Sequence, residues 1–314
     1  MSAQFRCALV GANGYAGQVL HALLMQHPCI DVVVVEGKDP DEATRHLCRG
    51  CDVVALATPS EAAREWTSAL RREGVAVIDL SDAHRLDDGV HYGIPELFGA
   101  PPADDLLVAN PGCYPTATLM VLRPLLDASV VEAESIAVLG ASGTSGAGKG
   151  LRADLHFSSL YGNTFPYNVG RHRHTPEIER HLGAPVSFVT QLLPIVRGML
   201  VTAFVRPRGR PEDLRDALRA RYEAHPWVSV LDEPGPGLGV GHVVGTHQAL
   251  LAVGPEARGG LIPVFSAIDN LMRGAASQAL HNINLWLGLD AGLGLPLPLR
   301  DTPDGSPRMT RMLP

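Results

Sequence analysis

A chain of 314 residues, 46% hydrophobic and 19% charged, can bury a sizeable core over about two domains, which excludes wholesale disorder. Its formal net charge of −7 offers no basic footprint for nucleic acid or an anionic membrane. Five widely spaced cysteines exclude a disulfide framework, and no apolar run approaches the roughly 18 residues of a membrane span, so a cytoplasmic protein is expected.

In chain order, residues 5–10 form a strand, and the first residues run straight into it with no charged leader and cleavage site. The turn Gly11-Ala-Asn13-Gly14-Tyr15-Ala-Gly17 then opens a helix that reaches about Met25. Gly-x-x-Gly-x-x-Gly between a first strand and a first helix lets a pyrophosphate rest against free amides, though tight strand–helix packing needs glycine equally. Residues 30–35 are a nearly continuous β-branched run, as in a strand buried on both faces. Glu36 and Lys38 follow it and pull in opposite directions: an acid there meets the adenosine ribose of NAD, whereas a cation favours NADP. Cys48 and Cys51 make a lone Cys-x-x-Cys, for which a structural role is expected rather than zinc or redox work. Residues 52–57 and 75–80 repeat the strand pattern around a helix at 60–73, which together mean a doubly wound parallel sheet.

A short apolar run at 106–108 leads through Asn110-Pro-Gly to Cys113, with Pro115 near the first turn of a helix, where a missing N–H costs nothing. Free amides and the positive end of the helix dipole favour an anion there, so this thiol is expected to ionise readily and to act as a nucleophile; the alternative is a buried apolar cysteine. Beyond it, strands at 135–139, 186–193, 199–205, 248–253 and 261–268 with one main helix at 212–224 indicate an α+β domain with a mixed or antiparallel sheet. Residues 232–241 are expected to be a loop, a final helix runs from Asn270 to about Leu287, and a disordered tail is expected over 300–314.

With both motifs read, the chain resembles the N-acetyl-γ-glutamyl-phosphate reductase family, within the superfamily that includes aspartate-semialdehyde dehydrogenases. Further matches run in order along it: Asp79-Leu-Ser-Asp-Ala-His-Arg85, Tyr92-Gly-Ile-Pro-Glu96, Ala141-Ser-Gly-Thr-Ser-Gly-Ala-Gly-Lys149, His172-Arg-His174-Thr-Pro-Glu177, Pro194-Ile-Val-Arg197-Gly198, Ile268-Asp-Asn270-Leu-Met-Arg-Gly, and Gly292-Leu-Gly-Leu-Pro-Leu-Pro. The resemblance implies a Rossmann-like NADP-binding domain over 1–112 plus 270–299, and a catalytic and oligomerisation domain over 113–269. In that arrangement the last helix returns to the first domain. It also implies NADPH-dependent reduction of a small acyl phosphate to an aldehyde through a Cys113 thioester, in a homodimer or homotetramer.

The same resemblance makes His174, followed by Glu177, the base, with His172 in reserve; a surface pair or a zinc pair is the alternative for His-x-His. Arg197 suits the substrate carboxylate, with a surface ion pair as the alternative, and Ser142, Ser145 and the Gly143, Gly146 and Gly148 amides suit the leaving phosphate, with an ordinary flexible loop as the alternative. Gly11, Asn13, Gly14, Tyr15, Gly17 and Glu36 go to the nucleotide, and Asn270 to the nicotinamide, although Asn270 also suits a helix cap. Two segments, 36–51 and 86–91, are shorter than the family's, and the first lacks the Ser/Arg set that meets a 2′-phosphate, so NAD stays open beside NADP. Two other functions stay open: a reductase of carrier-bound α-aminoadipyl phosphate, and a nucleotide-binding regulator that has lost catalysis.

Overall fold

The computed structural model describes residues 4–37 and 39–296. Lys38 and the tail expected over 300–314 lie outside the described residues. The chain forms two compact units, one from the residues up to Gly112 together with Ala275–Pro296, the other from Cys113–Gly274. No helix among the described residues is long and apolar enough to cross a membrane.

The first unit begins with β1 (Phe5–Val10), α1 (Tyr15–Met25), β2 (Ile30–Val35) and α2 (Glu42–Arg49). It continues through β3 (Val53–Leu56), α3 (Ser60–Arg72), β4 (Val77–Asp79), β5 (His91–Tyr92), α4 (Pro95–Phe98) and β6 (Leu107–Ala109). The six strands pair in parallel in the order β2-β1-β3-β4-β6-β5. The sheet therefore grows first to one side of β1 and then to the other, which is the doubly wound arrangement. Helix α2 is absent from the sequence reading. It is mostly polar, burying only Thr44 and Cys48, and it starts because Asp41 accepts the Thr44 amide at 2.8 Å as an N-cap. Cys48 on that helix is fully buried among Val10, Leu56, Trp66 and Leu70, with Cys51 packed at the edge of the same cluster, so the Cys-x-x-Cys serves the core. Burial pushes the Cys48 thiol up to about 12.

The second unit comprises α5 (Cys113–Asp127), β7 (Ala137–Ser142), α6 (Phe157–Leu160), β8 (Phe165–Tyr167), α7 (His174–Leu182) and β9 (Ser187–Leu192), followed by β10 (Met199–Val205), α8 (Pro211–Tyr222), β11 (Val228–Leu231), β12 (Ala249–Val253) and β13 (Ile262–Ile268). Its seven-stranded sheet has the order β11-β12-β13-β10-β7-β9-β8, parallel at β7–β9 and β11–β12 and antiparallel elsewhere. Helix α5 is apolar almost all round and is buried accordingly, against β10 and β13 with α7 and α8 beside it. The strand expected at 135–139 lies at Ala137–Ser142 instead. It runs on through Gly140 because the Tyr114 ring lies so close that a Cβ at 140 would sit 2.3 Å from it, a contact only glycine allows. The final helix does not start at Asn270: a π turn, Met272–Ala276, precedes α9 (Ser277–Trp286), which packs on α1 within the first unit.

Candidate active site

In the first unit, the chain segment that ends just before Cys113 is fixed at Asn110, a fully buried residue with four hydrogen bonds. Its amide donates to the Asp79 carbonyl at 2.8 Å, and its carbonyl accepts from Arg85 Nε at 2.9 Å. Its side chain donates to the Ala275 carbonyl at 3.0 Å and accepts from Asn282 Nδ2 at 3.2 Å. Every polar group of a buried asparagine is thereby occupied, which leaves one orientation for the turn that follows.

Cys113 is the first residue of α5 and is half-buried. It lines a cavity of about 310 Å³ together with Tyr114, Tyr167, His172, Arg173 and His174. Gly274, in the π turn, lies against it, for a Cβ there would stand 2.6 Å from Cys113 Cβ. A thiol at the first turn of a buried helix sits where the dipole and unpaired amides favour the thiolate.

His174 opens α7 and Glu177 follows one turn later, so both face the same side; His174 Nε2 and Glu177 Oε2 are 4.0 Å apart and both side chains are buried. His172 behaves differently. Its Nδ1 accepts the His174 amide at 3.2 Å, which places the proton of the neutral ring on Nε2. Burial, and secondarily the charge of Arg173, push its pKa down to about 4, so it is neutral at neutral pH. His172 thus caps the turn that presents His174. Tyr114 sets its ring edge-on to both histidines, at 5.4 and 6.0 Å between centroids, and its hydroxyl accepts from Tyr167 at 3.1 Å. Burial raises the pKa of both phenols, so they remain hydrogen-bond donors.

Other residues singled out by sequence gather into a cluster of the second unit that meets the Cys113 cavity at Gly146. Asn270 is buried, donates to Ser145 Oγ at 2.8 Å and accepts the Gly198 amide at 2.8 Å, so it ties two turns together rather than capping the last helix. Arg197 Nη2 lies 2.9 Å from Oδ2 of Asp269, a fully buried acid that also accepts the amides of Gly245, Leu271 and Met272. The glycine-rich loop departs from the anion nest expected of it. The amides of Gly143, Gly146 and Gly148 do not converge on an anion, because they donate to the carbonyls of Gly198, Gly143 and Ser145. Ser142 Oγ likewise turns back to the Gly143 carbonyl. The Gly198 carbonyl stands 55 residues from Gly143 in sequence, and the Gly146 and Gly148 amides close local three-residue turns that a list of glycines does not reveal.

At the nucleotide end, the three glycines have three different reasons. Gly11 has φ +86° and a Cβ there would meet the Ala57 carbonyl at 2.5 Å. At Gly17 a Cβ would lie 2.2 Å from the Gly11 carbonyl, so that glycine serves strand–helix packing. At Gly14, the N-cap of α1, a Cβ would make only ordinary contacts, the nearest 3.8 Å from the Gly11 carbonyl, so packing does not demand glycine there and close approach of a dinucleotide phosphate is the remaining reason for it. Asn13 and Tyr15 are exposed beside it, and Glu36 is exposed just beyond β2. Tyr114, Tyr167, Asp269 and Gly274 went unassigned in the sequence, although Tyr114 and Asp269 each adjoin a residue that was assigned.

Residues 113–270 match the family model described as semialdehyde dehydrogenase, dimerisation domain, and residues 38–101 the model described as semialdehyde dehydrogenase, NAD binding domain. An N-acetyl-gamma-glutamyl-phosphate reductase of Citrifermentans bemidjiense is 36% identical over 340 aligned positions, covering 93% of this chain and 98% of that one. The enzyme of the same description from Geobacillus thermodenitrificans is 34% identical, covering 92% and 98%. An alignment of 340 positions exceeds the 314 residues of this chain, so the relative carries segments that this chain lacks. Among solved structures, aspartate semialdehyde dehydrogenase II of Vibrio cholerae superposes with a TM-score of 0.73 at 19% identity, covering 91% of this chain and 99% of that one. The Candida albicans aspartate semialdehyde dehydrogenase does so with a TM-score of 0.66 at 16% identity, covering 90% and 98%. These two likenesses concern the fold.

Proposed function

The chain belongs to the N-acetyl-gamma-glutamyl-phosphate reductase family, and on that premise we propose that it reduces N-acetyl-γ-glutamyl phosphate to N-acetylglutamate semialdehyde and phosphate, with NADPH, in cytoplasmic arginine biosynthesis. The observation that carries the reading is one cavity lined by both a helix-terminal cysteine and His174, whose buried partner Glu177 lies 4.0 Å away.

His174 takes the Cys113 proton, and Glu177 steadies the imidazolium that results. The thiolate attacks the acyl-phosphate carbonyl, the carbon–oxygen bond to phosphate breaks, and an acyl thioester remains on Sγ. The first-turn amides of α5 supply partial positive charge where the carbonyl oxygen becomes negative. Gly11 and Gly14 would hold the nicotinamide cofactor's pyrophosphate, and NADPH bound there would supply the hydride that takes the thioester to the aldehyde level. His174 protonates the reduced oxygen and takes that proton back as the carbon–sulfur bond breaks, which frees the aldehyde and the Cys113 thiolate. Arg197, aimed by Asp269, takes the substrate carboxylate. The second unit's match to a dimerisation domain supports a homodimer or homotetramer, which light scattering reads directly.

The test is the phosphate-dependent reverse reaction of N-acetylglutamate semialdehyde, followed by nicotinamide absorbance with NADP and separately with NAD. Turnover with NADP, abolished in Cys113→Ala, is expected. Turnover with NAD alone overturns the cofactor and assigns the ribose to Glu36. Silence with both, from folded protein, overturns the substrate, and the carrier-bound aminoadipyl compound is tried next.

A further inference from the structure

The cavity around Cys113 is charged against the trend of the whole chain. The protein has 33 acidic residues against 26 lysines and arginines, yet the described lining of this cavity includes Arg152, Arg171 and Arg173 and no carboxylate. Arg152 is shared with Asp154, whose Oδ1 is 3.1 Å from its Nε. Arg171 leaves a tight turn closed by its amide on the Asn168 carbonyl at 3.0 Å, with Asn168 and Gly170 at positive φ, so its place on the rim is set by backbone geometry. The charge of Arg173 is felt inside the cavity, at His172 and at Tyr167. The groups that sequence assigned to phosphate are engaged within the protein, since the amides of Gly143, Gly146 and Gly148 close on carbonyls and Ser142 Oγ turns back to the Gly143 carbonyl.

We propose that Arg171 and Arg173, backed by Arg152, form the subsite for the phosphoryl group of the substrate, an assignment that rests on the acyl-phosphate reading above. The phosphoryl group hangs from the carbonyl that Cys113 attacks, so it must lie in the cavity of that thiol. A phosphate near neutral pH carries close to two negative charges and three acceptor oxygens, which suit more than one guanidinium fork, whereas a carboxylate needs only one. The arginines also stabilise the departing phosphate as the carbon–oxygen bond breaks. In the reverse direction they gather inorganic phosphate beside the thioester.

The experiment is protection of Cys113 from iodoacetamide by inorganic phosphate, read by peptide mass on the full chain without nicotinamide. Phosphate is expected to protect the native protein. Arg171→Gln and Arg173→Gln are each expected to raise the half-protecting concentration about tenfold, the loss of one charge-assisted hydrogen bond, and the double variant to abolish protection. The phosphate-induced rise in Tm reads the same dependence without relying on thiol reactivity. Failure of phosphate to protect or stabilise the native protein, or equal protection in the double variant, overturns the subsite. So does arginine-dependent protection by glutarate but not by phosphate, which would make it a carboxylate site. Because no turnover is involved, an arginine-dependent phosphate effect in a protein that fails the reductase assay overturns the reaction and keeps the subsite.

Discussion

His172 and His174 are two residues apart and do opposite work. His174 is paired with Glu177, and His174→Asn is expected to lower turnover about 10²- to 10⁴-fold, the usual worth of a general base, with little change in KM. His172→Asn should cost far less activity, because that ring's Nδ1 serves the His174 amide. Its stability signature is distinctive. The folded pKa of about 4 lies below the ordinary 6.5, so the unfolded chain binds a proton that folded His172 refuses. Stability from this residue is therefore full above 6.5, falls as pH drops toward 4, and falls no further below it. Urea midpoints measured across that window should show the slope in the native protein and lose it in His172→Asn. Gly274 makes the third case at this scale. A methyl there would stand 2.6 Å from Cys113 Cβ, so Gly274→Ala should cost about 1–3 kcal/mol in stability and at least about tenfold in turnover by moving the nucleophile. A melt and a rate on the same sample check it.

Elements differ in how openly the sequence announces them. Edge strand β2 leaves Asp31 and Val34 exposed instead of burying both faces as its β-branched run suggests, yet β1, β2 and β10 are all legible within the expected bounds. Helices α2 and α7 are not, for reasons that can be named. Helix α2 is polar and begins with a cap at Asp41, and α7 hides its buried face behind His174 and Glu177, which look like surface residues in a list. The glycine turn before α1 is legible as a turn, yet its division of labour is not. A Cβ at Gly14 would make only ordinary contacts, whereas one at Gly17 would collide with the Gly11 carbonyl. Gly17→Ala should therefore lower Tm by several degrees, whereas Gly14→Ala should fold normally and weaken nucleotide binding about tenfold or more, measured by titration calorimetry. Equal effects of the two on Tm would mean that both glycines serve packing alone.

At the scale of the molecule, the chemical centre is legible where the reacting residues sit in local motifs, as Cys113 does at a helix start and His174 one turn ahead of Glu177. The rest arrives by topology. Gly274 reaches Cys113 only through the π turn after β13, and Tyr167 reaches Tyr114 only because β8 is the edge strand beyond β9. Charge follows the same division between global and local. A net charge of −7 repels a polyanionic substrate, while the arginines at the cavity attract it, and the two predict opposite responses to salt. The Debye length shrinks from about 30 Å at 0.01 M to about 8 Å at 0.15 M. Were distant repulsion in control, chloride would screen it and raise kcat/KM. With three arginines on the rim, attraction acts over the final approach and salt weakens it, so kcat/KM for an anionic acyl phosphate should fall a few-fold across that range while kcat stays level. Arg171→Gln with Arg173→Gln should flatten or reverse the slope, because only the repulsive field then remains to be screened. A native rate that rises with salt would place control with the net charge and leave the rim arginines no part in capture.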